Sequence, residues 1–178
     1  YHAGLLSLAA LASASEDELI AHCEQVAGEI PLVGFYLQTI VGGPVLSFDF
    51  WRRFARIPNV LAIKVAPFNR YRTLDVVRGL VAAQAEDRVF LYTGNDDHIV
   101  LDLSQPFTAM RRGEPVTVRF RGGLLGHWSV WTSGAVSLLR RIKQSLAVSG
   151  PGLSADLLAL DSQVTDCNAA FFDVANGF

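Results

Sequence analysis

Short apolar runs of β type alternate with amphipathic helical stretches along the whole of this 178-residue chain. That alternation constrains the fold more than any single motif. Ala3 to Leu8 reads as a short buried strand. Ser15, with Glu18 three residues on, forms a capping-box pattern ahead of a helix from Glu16 to Gly28. Leu32 to Leu37 is the next strand, and Gly42-Gly43-Pro44 marks a loop. Ser47 to Ile57 reads as a helix anchored by Phe50, Trp51 and Phe54. Asn59 to Ala66 is a strand, and Thr73 is placed to cap a helix running to about Ala85. Arg88 to Thr93 is a further strand, Gly94 to Asp97 a turn, and Asp97 to Leu103 a helix. Val116 to Phe120 follows as a strand, and Ser133 to Leu146 as a long helix. Ser149-Gly150-Pro151-Gly152 breaks that helix, and Ser154 caps the last helical segment.

Strand–helix alternation of this kind belongs to α/β proteins with a parallel sheet. Strands apolar on both sides suit a sheet covered by helices. About five βα units are present, against the eight of a (β/α)8 barrel, which normally needs about 250 residues. The expectation is a partial TIM barrel: residues 1–178 as a single domain from its C-terminal part, with extra helices over 149–178. The chain opens at Tyr1 directly into a strand-like run, so a piece of a longer protein is expected.

Composition narrows the function classes. The chain is 51% hydrophobic and only 18% charged, where about a quarter is usual. A formal net charge of -2 offers no electrostatic case for nucleic acid or an anionic membrane. No apolar run reaches the roughly 20 residues a bilayer crossing needs. Cys23 and Cys167 lie far apart without metal-ligand spacing, so a cytoplasmic setting is the expectation.

Polar residues gather where parallel α/β architectures do chemistry, at the C-terminal ends of strands. Lys64 stands out, one of only two lysines in the chain, within the apolar run Asn59 to Pro67. Burial disfavours a charged amine, and a neutral lysine amine attacks carbonyl compounds to form Schiff bases. The plainer reading is a lysine at a strand end reaching solvent. Ala62, Lys64 and Ala66 share one face by period-two alternation, and Gly34 and Tyr36 share one face of their own strand. Small residues beside a lysine and a tyrosine suggest a cavity. Tyr36 then relays protons, or is a strand tyrosine whose hydroxyl reaches water. Arg70 clamps a carboxylate or is a solvated loop residue. Asp96-Asp97-His98 is better explained by helix capping than by a metal. Gly122-Gly123 and Gly126 either cradle a phosphate or form a tight turn, and they match neither nucleotide-binding fingerprint. His127 is structural or lines a pocket.

Taken together, Gly34-Phe35-Tyr36-Leu37-Gln38, Ile63-Lys64-Val65-Ala66-Pro67-Phe68-Asn69-Arg70-Tyr71, Thr93-Gly94-Asn95-Asp96-Asp97 and Gly122 to Trp128 resemble the dihydrodipicolinate synthase and N-acetylneuraminate lyase family. More narrowly they resemble a bacterial branch of dihydrodipicolinate synthase-like proteins. The resemblance runs from Ala3 to the last helices. It implies a (β/α)8 barrel, with Ala3 to Leu8 as the fourth strand and the first three absent. It implies a class I aldolase or lyase in which Lys64 forms a Schiff base with pyruvate or a related 2-oxo acid and Tyr36 relays protons. Thr93, Gly94, Asn95, Arg70 and His127 are then the candidate substrate contacts, with no cofactor and no metal. The chain departs from the family at Leu37-Gln38-Thr39, where Tyr-Asn-x-Pro is usual, and at Val65, where an acid commonly follows the lysine. This piece alone is expected to be inactive. The alternative is a barrel that binds a 2-oxo acid or sugar acid without turning it over. Assembly into a homo-oligomer is left open.

Overall fold

The computed structural model describes residues 1–149 and 154–171. The expected break at Gly150-Pro151-Gly152 lies outside them. The chain divides into two compact units, Tyr1–Tyr92 with Phe107–Val118, and Thr93–Pro106 with Arg119–Phe178. Along the first unit run β1 (Gly4–Ser7), α1 (Glu16–Glu29), β2 (Leu32–Leu37), α2 (Phe48–Phe54), β3 (Val60–Ala66), α3 (Arg70–Ala82) and β4 (Phe90–Thr93). The hairpin β5 (Phe107–Arg111) and β6 (Glu114–Val118) belongs with it. The second unit contains α4 (Ile99–Ser104), β7 (Phe120–Gly123), α5 (Thr132–Ser149) and α6 (Ala155–Ala169). Strands alternate with helices in an α/β fold, and the parallel sheet has five strands in the order β1-β2-β3-β4-β7.

Local chemistry sets the helix starts. The Glu18 backbone N–H donates to Ser15 Oγ at 3.3 Å, and the Glu18 carboxylate accepts from the Ser15 backbone N–H at 2.7 Å. These bonds complete the expected capping box, and the Ser15 hydroxyl and N–H hold the Glu18 carboxyl below its usual range. Helix α3 starts earlier than Thr73 suggested. Asn69 is its N-cap, accepting from the Arg72 N–H at 3.2 Å, while the Thr73 hydroxyl donates back to the Asn69 carbonyl at 3.2 Å. Phe68, with φ +50°, turns the chain in the left-handed region directly before that cap, a conformation that costs a non-glycine residue about 1 kcal/mol or more. Similarly, α4 begins at Ile99 with His98 as its N-cap, and neither Asp96 nor Asp97 caps it.

The expected strand from Val116 to Phe120 is two elements. Val116 to Val118 belong to β6, which pairs antiparallel with β5, Arg111 opposite Glu114. Arg112 and Gly113 between them both have positive φ, +52° and +87°, as a tight two-residue hairpin turn requires. Phe120 begins β7, so Gly122 and Gly123 lie inside a strand and not in a phosphate-cradling loop.

On one side of the first unit's strands lies the helix-packed core. Leu32, Gly34 and Tyr36 of β2 and Ile63 and Val65 of β3 are buried. Against them sits the α2 aromatic cluster: Trp51 is 5.0 Å from Tyr36 between ring centroids, and Phe50 and Phe54 are stacked at 5.9 Å. Gly34 makes room for it, since a Cβ there would lie 2.6 Å from the Phe54 ring. Arg88 ties the chain between α2 and β3 to this core by donating to the carbonyls of Ala55, Ile57, Pro58 and Val60. Arg111 does the same for the hairpin through the Val81 carbonyl and Glu86.

The other side of these strands is less covered. Leu5, Phe90 and Tyr92 are 53%, 43% and 36% exposed, alternating on β4 with buried Leu91. Parallel sheets are ordinarily covered on both faces.

The two cysteines differ in kind. Cys23 is buried and Cys167 exposed, and burial pushes the Cys23 thiol up to about 12. A thiolate-selective reagent at mildly alkaline pH is therefore expected to modify Cys167 alone until the chain is unfolded. Mass spectrometry counts the labels, and two on the native protein would contradict this packing.

Candidate functional site around Lys64

Strand pairing decides which groups meet in the first unit. β1, β2 and β3 are parallel, with Ser7 beside Phe35 and Phe35 beside Lys64. Laterally paired residues of parallel strands project to the same side of the sheet, so Ser7, Phe35 and Lys64 form one row across three strands. Lys64 is half-buried, and its Nζ stands 4.2 Å from the centre of the Phe35 ring. Ala62 and Ala66, two residues before and after it, are small and buried. Leu61, 41% exposed, is absorbed by an irregularity in pairing, where Leu32 faces Val60 but Val33 faces Ala62.

Tyr36 is beside Val65, and hence on the opposite side from Lys64. Its hydroxyl donates to the Leu46 carbonyl at 3.1 Å and accepts from the Leu46 N–H at 3.3 Å. Burial pushes its pKa up, with the Leu46 backbone pulling the other way. The expected cavity shared by Tyr36 and Lys64 is therefore corrected. Alternation groups Tyr36 with Gly34 and Lys64 with Ala62 and Ala66, but the relative register of two strands is not available from their sequences. Tyr36 is a core residue, fully buried against Trp51.

Arg70 is the first residue of α3, with its guanidinium 5.4 Å from the centre of the Phe107 ring. It is a helix residue on an aromatic face, where a loop residue was expected. Two features escaped the sequence reading. Ser7 carries a hydroxyl in the same row as Lys64, and a single serine in an apolar run gives little signal. Phe68 holds its strained backbone two residues beyond β3, and nothing in its side chain announces that.

The remaining candidates lie in the second unit. Asp102 is fully buried, and its Oδ2 accepts from Thr93 Oγ1 at 2.6 Å and from Asn95 Nδ2 at 2.9 Å. Thr93 Oγ1 also accepts from the Asn95 N–H at 3.2 Å. Thr93 and Asn95 thus have polar atoms committed to a buried network, with Gly94 buried between them. His127 is buried in the same unit, bonded to Asn168 and flanked by Trp128 and Trp131. Asp96 accepts from Asn168, and His98 Nδ1 is 3.7 Å from Asp161. Among the described residues no three His, Cys, Asp or Glu side chains converge as a metal site, and no helix is long and apolar enough to cross a membrane.

Compared with known proteins, the chain matches no family model and no curated protein.

Proposed function

We propose that the first unit is part of a (β/α)8 barrel and that Lys64 is the Schiff-base lysine of a class I aldolase or lyase. Its substrate is pyruvate or a related 2-oxo acid. One observation carries the reading: an amine, half-buried, on the less covered side of a parallel sheet and over an aromatic ring. Exposed apolar side chains on a parallel sheet are what a barrel short of its other strands leaves behind.

The chemistry follows from the amine. Lys64 Nζ adds to the 2-oxo carbonyl to give a carbinolamine, which loses water to form an imine. Protonated, that imine withdraws electrons from the adjacent carbon. Loss of a proton there, or cleavage of the neighbouring carbon–carbon bond, gives the enamine. The Phe35 ring lies where it stabilises the cationic imine through its negative face. Tyr36 takes no part in this scheme.

The same ring also favours an ammonium, and with it the second reading, a barrel in which Lys64 pairs with a bound carboxylate and no reaction follows. Borohydride reduction of the full-length protein in the presence of pyruvate distinguishes them. One reduced pyruvyl group on the peptide containing Lys64, absent from Lys64→Arg, is the expected result by peptide mass mapping. No adduct, or an adduct on Lys143, excludes the Schiff-base reading.

A further inference from the structure

A second site lies wholly within the second unit. A cleft of about 330 Å3 there has His127, Trp128, Trp131, Leu138, Arg141 and Leu160 among its lining residues. Its volume falls at the lower end of small-molecule sites, which are mostly apolar with a few placed polar groups. Here those groups are an imidazole and a guanidinium.

Hydrogen bonds set the imidazole's tautomer. Asn168 is buried and its Nδ2 donates to Asp96 Oδ2 at 3.0 Å. Asn168 Oδ1 is therefore an acceptor. It receives the His127 backbone N–H and ring Nδ1, each at 3.2 Å. Nδ1 carries the proton, and Nε2 of the neutral ring is left as an acceptor. No described residue bonds to Nε2, and His127 lines the cleft. The Asp96–Asn168–His127 chain thus holds a hydrogen-bond acceptor at a cleft walled by two indoles.

Arg141 supplies the other end. Gly134, Leu138 and Arg141 stand on one stripe of α5 at the cleft. The contact of Arg141 with Asp156, 3.5 Å between half-exposed and exposed side chains, is of the weak surface kind. It leaves the guanidinium open to a second carboxylate.

We propose that this cleft binds an aromatic carboxylic acid bearing a ring hydroxyl. The ring packs against Trp128 and Trp131, the hydroxyl donates to His127 Nε2, and the carboxylate pairs with Arg141. The cleft's volume of about 330 Å3 admits one ring with a short side chain.

The test is calorimetric titration of the protein with 3-(4-hydroxyphenyl)propanoate, alongside 3-phenylpropanoate, which lacks the hydroxyl. Saturable binding of the hydroxylated acid is expected, with the plain acid weaker by about tenfold. Arg141→Gln, at an exposed position, is expected to weaken the hydroxylated acid about tenfold. His127→Phe is expected to make the two acids equal. Absence of saturable binding overturns the proposal. So does equal binding of both acids to the unaltered protein, a comparison that needs no variant to fold. An Arg141→Gln protein of unchanged affinity overturns the carboxylate assignment.

Discussion

Asp102→Ala is expected to lower stability by about 3 kcal/mol or more, measured by urea denaturation. The carboxylate oxygen accepts two side-chain donors, from Thr93 and Asn95, in a place water does not reach. Removing it leaves a hydroxyl and an amide without that acceptor, each at about 1–3 kcal/mol, and adds a small cavity. Asp102→Asn keeps the shape and an oxygen that can accept both donors, but a neutral acceptor replaces a charged one, so an intermediate loss of about 2 kcal/mol is expected. Thr93→Val, which removes one donor to the carboxylate and the acceptor of the Asn95 N–H but keeps the volume, is expected to cost less than Asp102→Ala, about 1–2 kcal/mol. The order is the diagnostic part. If Thr93→Val costs as much as Asp102→Ala, the network is not centred on the carboxylate.

Gly79→Val is expected to cost about 3 kcal/mol. Gly79 sits fully buried in α3 where α2 approaches, and a Cβ there would lie 2.8 Å from Trp51 Cβ, 2.9 Å from the Arg52 nitrogen and 3.0 Å from the Trp51 carbonyl carbon. Two of these are backbone atoms, which cannot swing aside as a side-chain tip does. The helices must separate, and separating them loosens the aromatic cluster that packs on Tyr36. Overpacking of this kind costs about 1–3 kcal/mol, and a β-branched side chain stands at the upper end. Gly79→Ala is expected to cost less, because alanine recovers up to about 1 kcal/mol of helix propensity. Thermal denaturation of both variants measures the difference. Net stabilisation by Gly79→Ala would show that the helices have room to spare.

The two predictions also mark which candidates belong to the fold. Thr93 and Asn95 stand out in the sequence as polar residues at a strand end, the usual place for chemistry. The structure gives them a structural partner, Asp102, nine and seven residues further on. A sequence shows a polar residue's position on its element, but not whether another buried group already satisfies it. Tyr36 teaches the same lesson through the Leu46 backbone. Its hydroxyl forms both of its bonds with one residue ten positions away, across a loop whose path has no pattern to read.

Elements were readable where local energetics dominate. The Ser15–Glu18 box, the Ser154 cap, the apolar periodicity of α1 and the run of β3 each arise from neighbours in sequence. The β5–β6 hairpin was less readable. Its turn signal, Arg112-Gly113, was present, but Val116 to Phe120 looked like one continuous strand. The break at Arg119 separates two pairings, and pairing depends on partners distant in the chain. Asn69 and Thr73 both offer capping chemistry at the start of α3, and Asn69, directly after the Phe68 turn, is the N-cap.

Local sequence pattern alone carried the α/β class, because a periodicity of two or 3.6 is a property of one short segment. Which side of the sheet each strand turned toward its neighbours was settled only on folding. Register is a relation between segments, and a slip of one residue exchanges every side chain between core and open face. That relation put Phe35, not Tyr36, beside Lys64.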